Sequence, residues 1–164
     1  MKGIVVLAGI AAAAVLAGIV IAFVNKEEEL APGDFTVYEE SGKKVHMADY
    51  QGKPIIVNMW ATWCPACTNE LPVFEKMYKE YGSRVQFMMI NSENKQGLEN
   101  AKDYISKGRY TFPVYYDWYD SAYNVYGTGY IPLTLAFDAR GNLVYNDTGR
   151  MSEKALRTLI EDIL

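Results

Sequence analysis

Apolar and polar positions divide this chain into a long hydrophobic head and a body of short alternating segments. The head, Gly3 to Val24, reads GIVVLAGIAAAAVLAGIVIAFV, 22 residues with no charge and no proline. As a helix rising ~1.5 Å per residue it would match a hydrocarbon core of ~30 Å. Two other readings compete. Ala11 to Ala14 offers small residues for signal-peptide cleavage, but the apolar run continues for ten residues past Ala14. That is longer than the ~7–15 residues of a signal core. A buried helix of a globular core is the third reading. The run fits an uncleaved anchor or signal-anchor over residues 1–24 best. A polar linker, NKEEELAPG, follows over 25–33, and a domain over 34–164.

In the domain the period alternates between two and 3.6. FTVYEESGKKVHM predicts two short strands around a Ser-Gly turn. PIIVNMWA, residues 54–61, is a continuous apolar run of strand length, suited to the centre of a sheet. Residues 66–81 place Leu71, Phe74, Met77, Tyr78 and Tyr81 at helical spacing, with Gly82 at the expected C-cap. VQFMMINS, 85–92, is a second apolar strand. Leu98, Ala101 and Ile105 predict a second helix closed by Gly108. PVYYD predicts a strand, SAYNVYG a short helix, and LTLAFD-ARGN-LVYND a hairpin turning at Gly141. Leu156, Leu159, Ile160, Ile163 and Leu164 form the apolar stripe of a last helix, with Ser152 as its N-cap. Strands alternating with helices and ending in a hairpin predict an α/β domain with a mixed sheet flanked by helices. Strand 54–61, helix 66–81 and strand 85–92 form a right-handed parallel βαβ unit.

Charge narrows the partners. The 164-residue chain has a net charge of −4, and its densest basic spot is Lys43-Lys44. Phosphate binding needs clustered Lys and Arg, so no nucleic-acid partner is expected. Around the head, Lys2 and the amino terminus face Lys26 with Glu27, Glu28 and Glu29, which gives a slight positive-inside bias toward the amino terminus.

The only two cysteines, Cys64 and Cys67, sit in WATWCPACTNELP between the predicted central strand and the first helix. There, C-x-x-C beside a βαβ unit reads as a redox pair. The first helical turn offers unpaired N–H groups and the positive end of the dipole, which favour a thiolate at Cys64. Residues i and i+3 share a helix face, so Cys67 can resolve a mixed disulfide formed by Cys64. Pro65 suits the first turn. A closed zinc site asks for four ligands, and the chain adds only His46, so no metal is expected. A staple across two intervening residues would remove little unfolded-state entropy. His46 reads as a strand-edge residue.

IIVNM followed by WATWCPAC resembles the active site of the thioredoxin fold, in the form found in the TlpA/ResA-like family of membrane-anchored thiol-disulfide oxidoreductases. The resemblance covers most of residues 34–164 and extends to the anchor. It implies a cis-proline opposite the dithiol, for which Pro132 in GYIPLTLAFD is the candidate, with the backbone of Ile131 pairing with substrate. Trp63 and Pro65 join them as substrate contacts. It also implies that Glu70, one turn beyond Cys67, lies near the dithiol and relays or tunes the Cys67 proton. The competing reading is a solvent-facing helix glutamate. Cytosolic thioredoxins carry a buried aspartate six residues before the first cysteine; Asn58 stands there in this chain and cannot take a proton. Pro72 inside the helix matches the family and should kink it. Leu133 departs from the threonine often found directly after the cis-proline, with Thr134 next.

The resemblance implies a single-pass cell-membrane enzyme with its domain outside the cytoplasm, where disulfides persist. It would reduce protein disulfides, for example in cytochrome c maturation, with electrons from a membrane donor of the CcdA/DsbD type. No cofactor is implied beyond the redox-active Cys64–Cys67 pair. A dithiol oxidase, a thioredoxin-fold peroxidase and a copper or haem chaperone remain as alternatives. Against the peroxidase, Ala61 stands three residues before Cys64, where a threonine is wanted. The nine rings between Tyr110 and Tyr130 read as core packing before they read as a partner groove.

Overall fold

The computed structural model describes Ala31 and residues 33–164. The anchor over 1–24 and most of the linker over 25–33 lie outside the described residues. In chain order the elements are β1 (Thr36–Tyr38), β2 (Lys44–His46), β3 (Ile55–Trp60), α1 (Pro65–Tyr81), β4 (Gln86–Asn91), α2 (Leu98–Gly108), β5 (Val114–Tyr116), α3 (Ser121–Tyr126), β6 (Leu133–Phe137), β7 (Leu143–Thr148) and α4 (Glu153–Ile163). Short 3₁₀ turns at Met47–Tyr50 and Lys95–Gly97 were not signalled by periodicity. Among the described residues no helix is long and apolar enough to cross a membrane.

One mixed sheet of seven strands runs in the order β2-β1-β5-β4-β3-β6-β7. β3 pairs in parallel with β4 and antiparallel with β6, so the continuous apolar run does lie at the centre of the sheet. Strand alternation sends its side chains into two cores. Ile56 and Trp60 pack with Leu71, Phe74, Phe87, Ala101, Leu156 and Ile160 under α1, α2 and α4. Ile55, Val57 and Met59 pack with Phe35, Ile90, Leu135 and Ala122 on the face carrying α3. Burying each such side chain is worth about 1.5–3 kcal/mol. β7 is one edge of the sheet, opposite β2, with Leu143 and Val144 41% and 52% exposed.

The glycine expectations hold in position but not all in mechanism. Gly82 caps α1 in right-handed geometry, φ −61° and ψ −18°. Gly108 is the last residue of α2, and the left-handed position passes to Arg109, φ 54°. The glycine is needed for space: a Cβ on Gly108 would lie 2.1 Å from the Tyr110 ring. α1 continues unbroken through Pro72.

Glu75 carried no signal in the sequence beyond its helix, yet it ties α1 to the turn before β5. Its carboxylate accepts from the Thr111 amide at 2.8 Å, the Thr111 hydroxyl at 2.7 Å and the Phe112 amide at 3.3 Å, and pairs with Lys79 at 2.9 Å. Burial pushes this carboxyl up, but these donors outweigh it and hold it below the usual carboxylate range. Glu75→Ala leaves the buried Phe112 amide without its acceptor. A loss of about 2–3 kcal/mol is expected, read as a lower urea midpoint at unchanged slope.

Candidate active site

The turn 61–63 leads from the buried end of β3 to α1. Glu93, from the turn after β4, holds it: its carboxylate accepts from the Thr62 hydroxyl at 2.8 Å and the Thr62 amide at 3.3 Å. Asn91 donates to the same carboxylate at 3.0 Å. Trp63 is thrown outward and is 67% exposed.

Cys64 is the N-cap of α1, in extended backbone geometry, and Pro65 occupies the first helical position, exposed to solvent. Cys64 and Cys67 are joined in a disulfide. The Cys67 amide donates to the Cys64 sulfur at 3.2 Å, so the sulfur takes the place of a capping oxygen. Cys67 is fully buried, whereas Cys64 is 6% exposed at the rim. Spacing alone set this asymmetry: the first cysteine precedes the helix and the second lies inside its first turn.

The Ile131–Pro132 bond is cis, as the resemblance implies. The Ile131 carbonyl oxygen lies 3.8 Å from the Cys64 sulfur. Pro132 is buried, and its carbonyl accepts from the Gly149 amide at 2.8 Å. Ile131, half-buried, is thus the backbone element that faces Cys64.

Glu70 is buried rather than solvent-facing. Asn58 on β3 donates to one carboxylate oxygen at 2.7 Å, and the Met151 amide, just before α4, donates to the other at 2.7 Å. Burial drives its pKa up from 4.5 to about 7, against the opposing pull of the Met151 amide, Asn58 and Arg150. Asn58 also donates to Thr134 on β6 at 3.4 Å, while its own Oδ1 is buried without a partner. The position that holds aspartate in cytosolic thioredoxins therefore orients the glutamate here. Met151 could not be found from sequence, because it acts through its backbone amide.

The aromatic stretch divides between the cores and the surface beside Trp63. Phe112, Tyr115 and Tyr116 are buried in the two cores. Trp118, Tyr123 and Tyr130 line two hollows beside Trp63. His46 ends the edge strand β2, with Nδ1 3.2 Å from the Thr36 hydroxyl.

The profile of the Redoxin family matches residues 26–162. The chain belongs to the Redoxin family. This redoxin is 30% identical over 132 residues to the thiol-disulfide oxidoreductase ResA of Geobacillus thermodenitrificans, covering 79% of this chain and 74% of that one. It is equally 30% identical over 139 residues to the thioredoxin-like protein YneN of Bacillus subtilis, covering 83% and 79%. Among solved structures it is similar to the exposed lipoprotein thioredoxin Etrx1 of Streptococcus pneumoniae, with a TM-score of 0.68, 26% identity, and coverage of 79% of this chain and 98% of that one. The thioredoxin-like α/β fold, the resemblance to ResA-like proteins and the thiol-disulfide oxidoreductase class all agree with these relatives. The redoxin is a thiol-disulfide oxidoreductase.

Proposed function

We propose that this redoxin is a protein-disulfide reductase, tethered by residues 1–24 and working outside the cytoplasm. The carrying observation is the Cys64 sulfur, held at the start of α1 by the Cys67 amide and facing the Ile131 carbonyl. A thiolate formed there meets the N–H groups and the positive end of a 17-residue helix, which favour negative charge.

In the proposed cycle, substrate lies along the Ile131–Pro132 backbone, flanked by Trp63 and Pro65. The Cys64 thiolate attacks one sulfur of the substrate disulfide, and the other sulfur leaves as a thiolate that takes a proton. Cys67, deprotonated toward Glu70, then attacks Cys64 and releases the second substrate thiol. The substrate gains two electrons and two protons, and the enzyme ends as the disulfide. Glu70 suits this relay because a carboxyl with a pKa about 7 can both take and return a proton near neutrality. A membrane dithiol of the CcdA/DsbD type would restore the reduced enzyme. Apocytochrome cysteines are the proposed substrates, as the resemblance to the TlpA/ResA-like family implies. The exposed lipoprotein Etrx1 supports an extracytoplasmic site.

The direction of electron flow is tested by equilibrating the domain with glutathione buffers. A potential of about −230 to −270 mV is expected, as for reducing C-x-x-C proteins. A value near about −120 mV would make the protein an oxidase.

A further inference from the structure

Two hollows open beside the disulfide and share Trp63, Ser92 and Asp120 in their walls. The smaller, about 230 Å³, reaches Gly129, Tyr130 and Ile131, and so begins at the backbone that faces Cys64. The larger, about 420 Å³, lies between the turn after β4 and the turn after β5, walled by Glu93, Asp117 and Trp118. A polypeptide laid along Ile131 therefore borders a path that leads directly into the larger hollow.

The chemistry of that hollow is acidic and incompletely paired. Glu93, Asp117 and Asp120 all stand in its walls. Three of its polar atoms are buried without a partner: Ser92 Oγ, Asp117 Oδ1 and Trp118 Nε1. Asp117 is only 2% exposed, and its other oxygen accepts from the Tyr123 amide at 2.9 Å. The Ser121 and Ala122 amides at the start of α3 also bear on this carboxyl, so its charge is held inside the wall, while Asp120 presents its carboxylate at the exposed mouth. The aromatic rim already carries a cation. Lys95 Nζ sits 4.9 Å from the centre of the Trp118 ring and donates to the Tyr119 hydroxyl at 2.9 Å.

We propose that this hollow reads the polypeptide beside the target disulfide and receives an arginine side chain next to the reacting cysteine. The inference rests on the reductase reading above and deepens it. A guanidinium presents five N–H donors in a flat fork. It can pair with the exposed Asp120 while stacking against the exposed Trp63, since the Trp118 ring is already stacked on Tyr38 and faced by Lys95. A carboxylate in the same place meets three like charges, which penalises the wrong partner more strongly than it rewards the right one.

The test uses the reduced protein and short synthetic peptides. Each peptide has one cysteine capped as a 2-pyridyl disulfide, with Arg, Ala or Glu two residues away. Release of 2-thiopyridone is followed by absorbance under stopped flow. The arginine peptide is expected to react roughly tenfold faster than the glutamate peptide, with alanine between. Asp120→Asn, whose asparagine tolerates the left-handed φ of 56° at this position, is expected to reduce that ratio to about threefold or less. Glu93→Gln serves as a second variant with the same expected effect. Asp103→Asn, on the remote face where it pairs with Lys107, should leave the ratio unchanged. Equal rates for the three peptides would overturn the inference and leave the reductase reading standing. So would a ratio that persists in both groove variants. Failure to react with any peptide would overturn the reductase reading itself, and the inference with it.

Discussion

Cys64→Ser is expected to abolish disulfide reduction, while Cys67→Ser is expected to accumulate a stable covalent adduct with the substrate. The asymmetry follows from position. Cys64 precedes the helix, reaches the rim and faces the Ile131 carbonyl at 3.8 Å. Cys67 lies one turn in and is fully buried. Without Cys64, the remaining thiol has no path to a substrate sulfur, so turnover of a disulfide peptide should fall to background. Without Cys67, the first attack still occurs but no neighbouring thiol can resolve it. Intact mass spectrometry of Cys67→Ser after mixing with a disulfide peptide should show the added peptide mass, lost again on treatment with dithiothreitol. Free turnover by either variant would reverse or remove the assigned roles.

Glu70 gives the second large effect, and its sign can be worked out. Its folded pKa, about 7, lies above the ordinary 4.5. Between those values the folded state binds more protons than the unfolded one, so stability falls as pH rises. Below pH about 4.5 both states are protonated and the group has no net effect. Above pH about 7 the full cost is reached, about 3 kcal/mol from that rise in pKa. Urea denaturation of the oxidised domain from pH 4 to pH 8 should show this decline in the parent protein and lose it in Glu70→Gln. Comparing the two removes the contribution of every other group. The substituted amide can be accommodated, because the unpartnered Asn58 Oδ1 gives its new N–H₂ an acceptor after an amide flip. In the reduced protein the same substitution should shift the pH profile of Cys67 alkylation. Parallel stability curves would refute the raised carboxyl, and an unchanged alkylation profile would remove Glu70 from proton handling.

Much of the fold was legible because its signals are local. The apolar run of β3, the 3.6-residue stripes of α1 and α4, and the Ser152 cap each depend on neighbours in sequence. Ser152 does accept from the Ala155 amide at 3.2 Å. Cys64 and Cys67 were legible for the same reason, since one helical turn fixes how an i, i+3 pair faces. The cis-proline came from the family pattern and not from any periodicity. Gly108 does close α2, while the left-handed backbone position falls on Arg109. Glycine signals a backbone requirement there, but the contact it answers is the ring of Tyr110.

The site divides along the same line. Sequence by itself determined the order of elements, the placing of a dithiol at a helix start, and the presence of a glutamate one turn beyond it. Those are consequences of chain geometry over a few residues. Only the tertiary structure decided that Glu70 is buried under the Met151 amide and Asn58, and that residues from the turns after β4 and β5 meet beside Trp63. Desolvation and enclosure depend on what packs from elsewhere. Glu70 meets Asn58 and Met151, and Ser92, Asp117 and Asp120 line one hollow, because the sheet order brings them together, which no local pattern encodes.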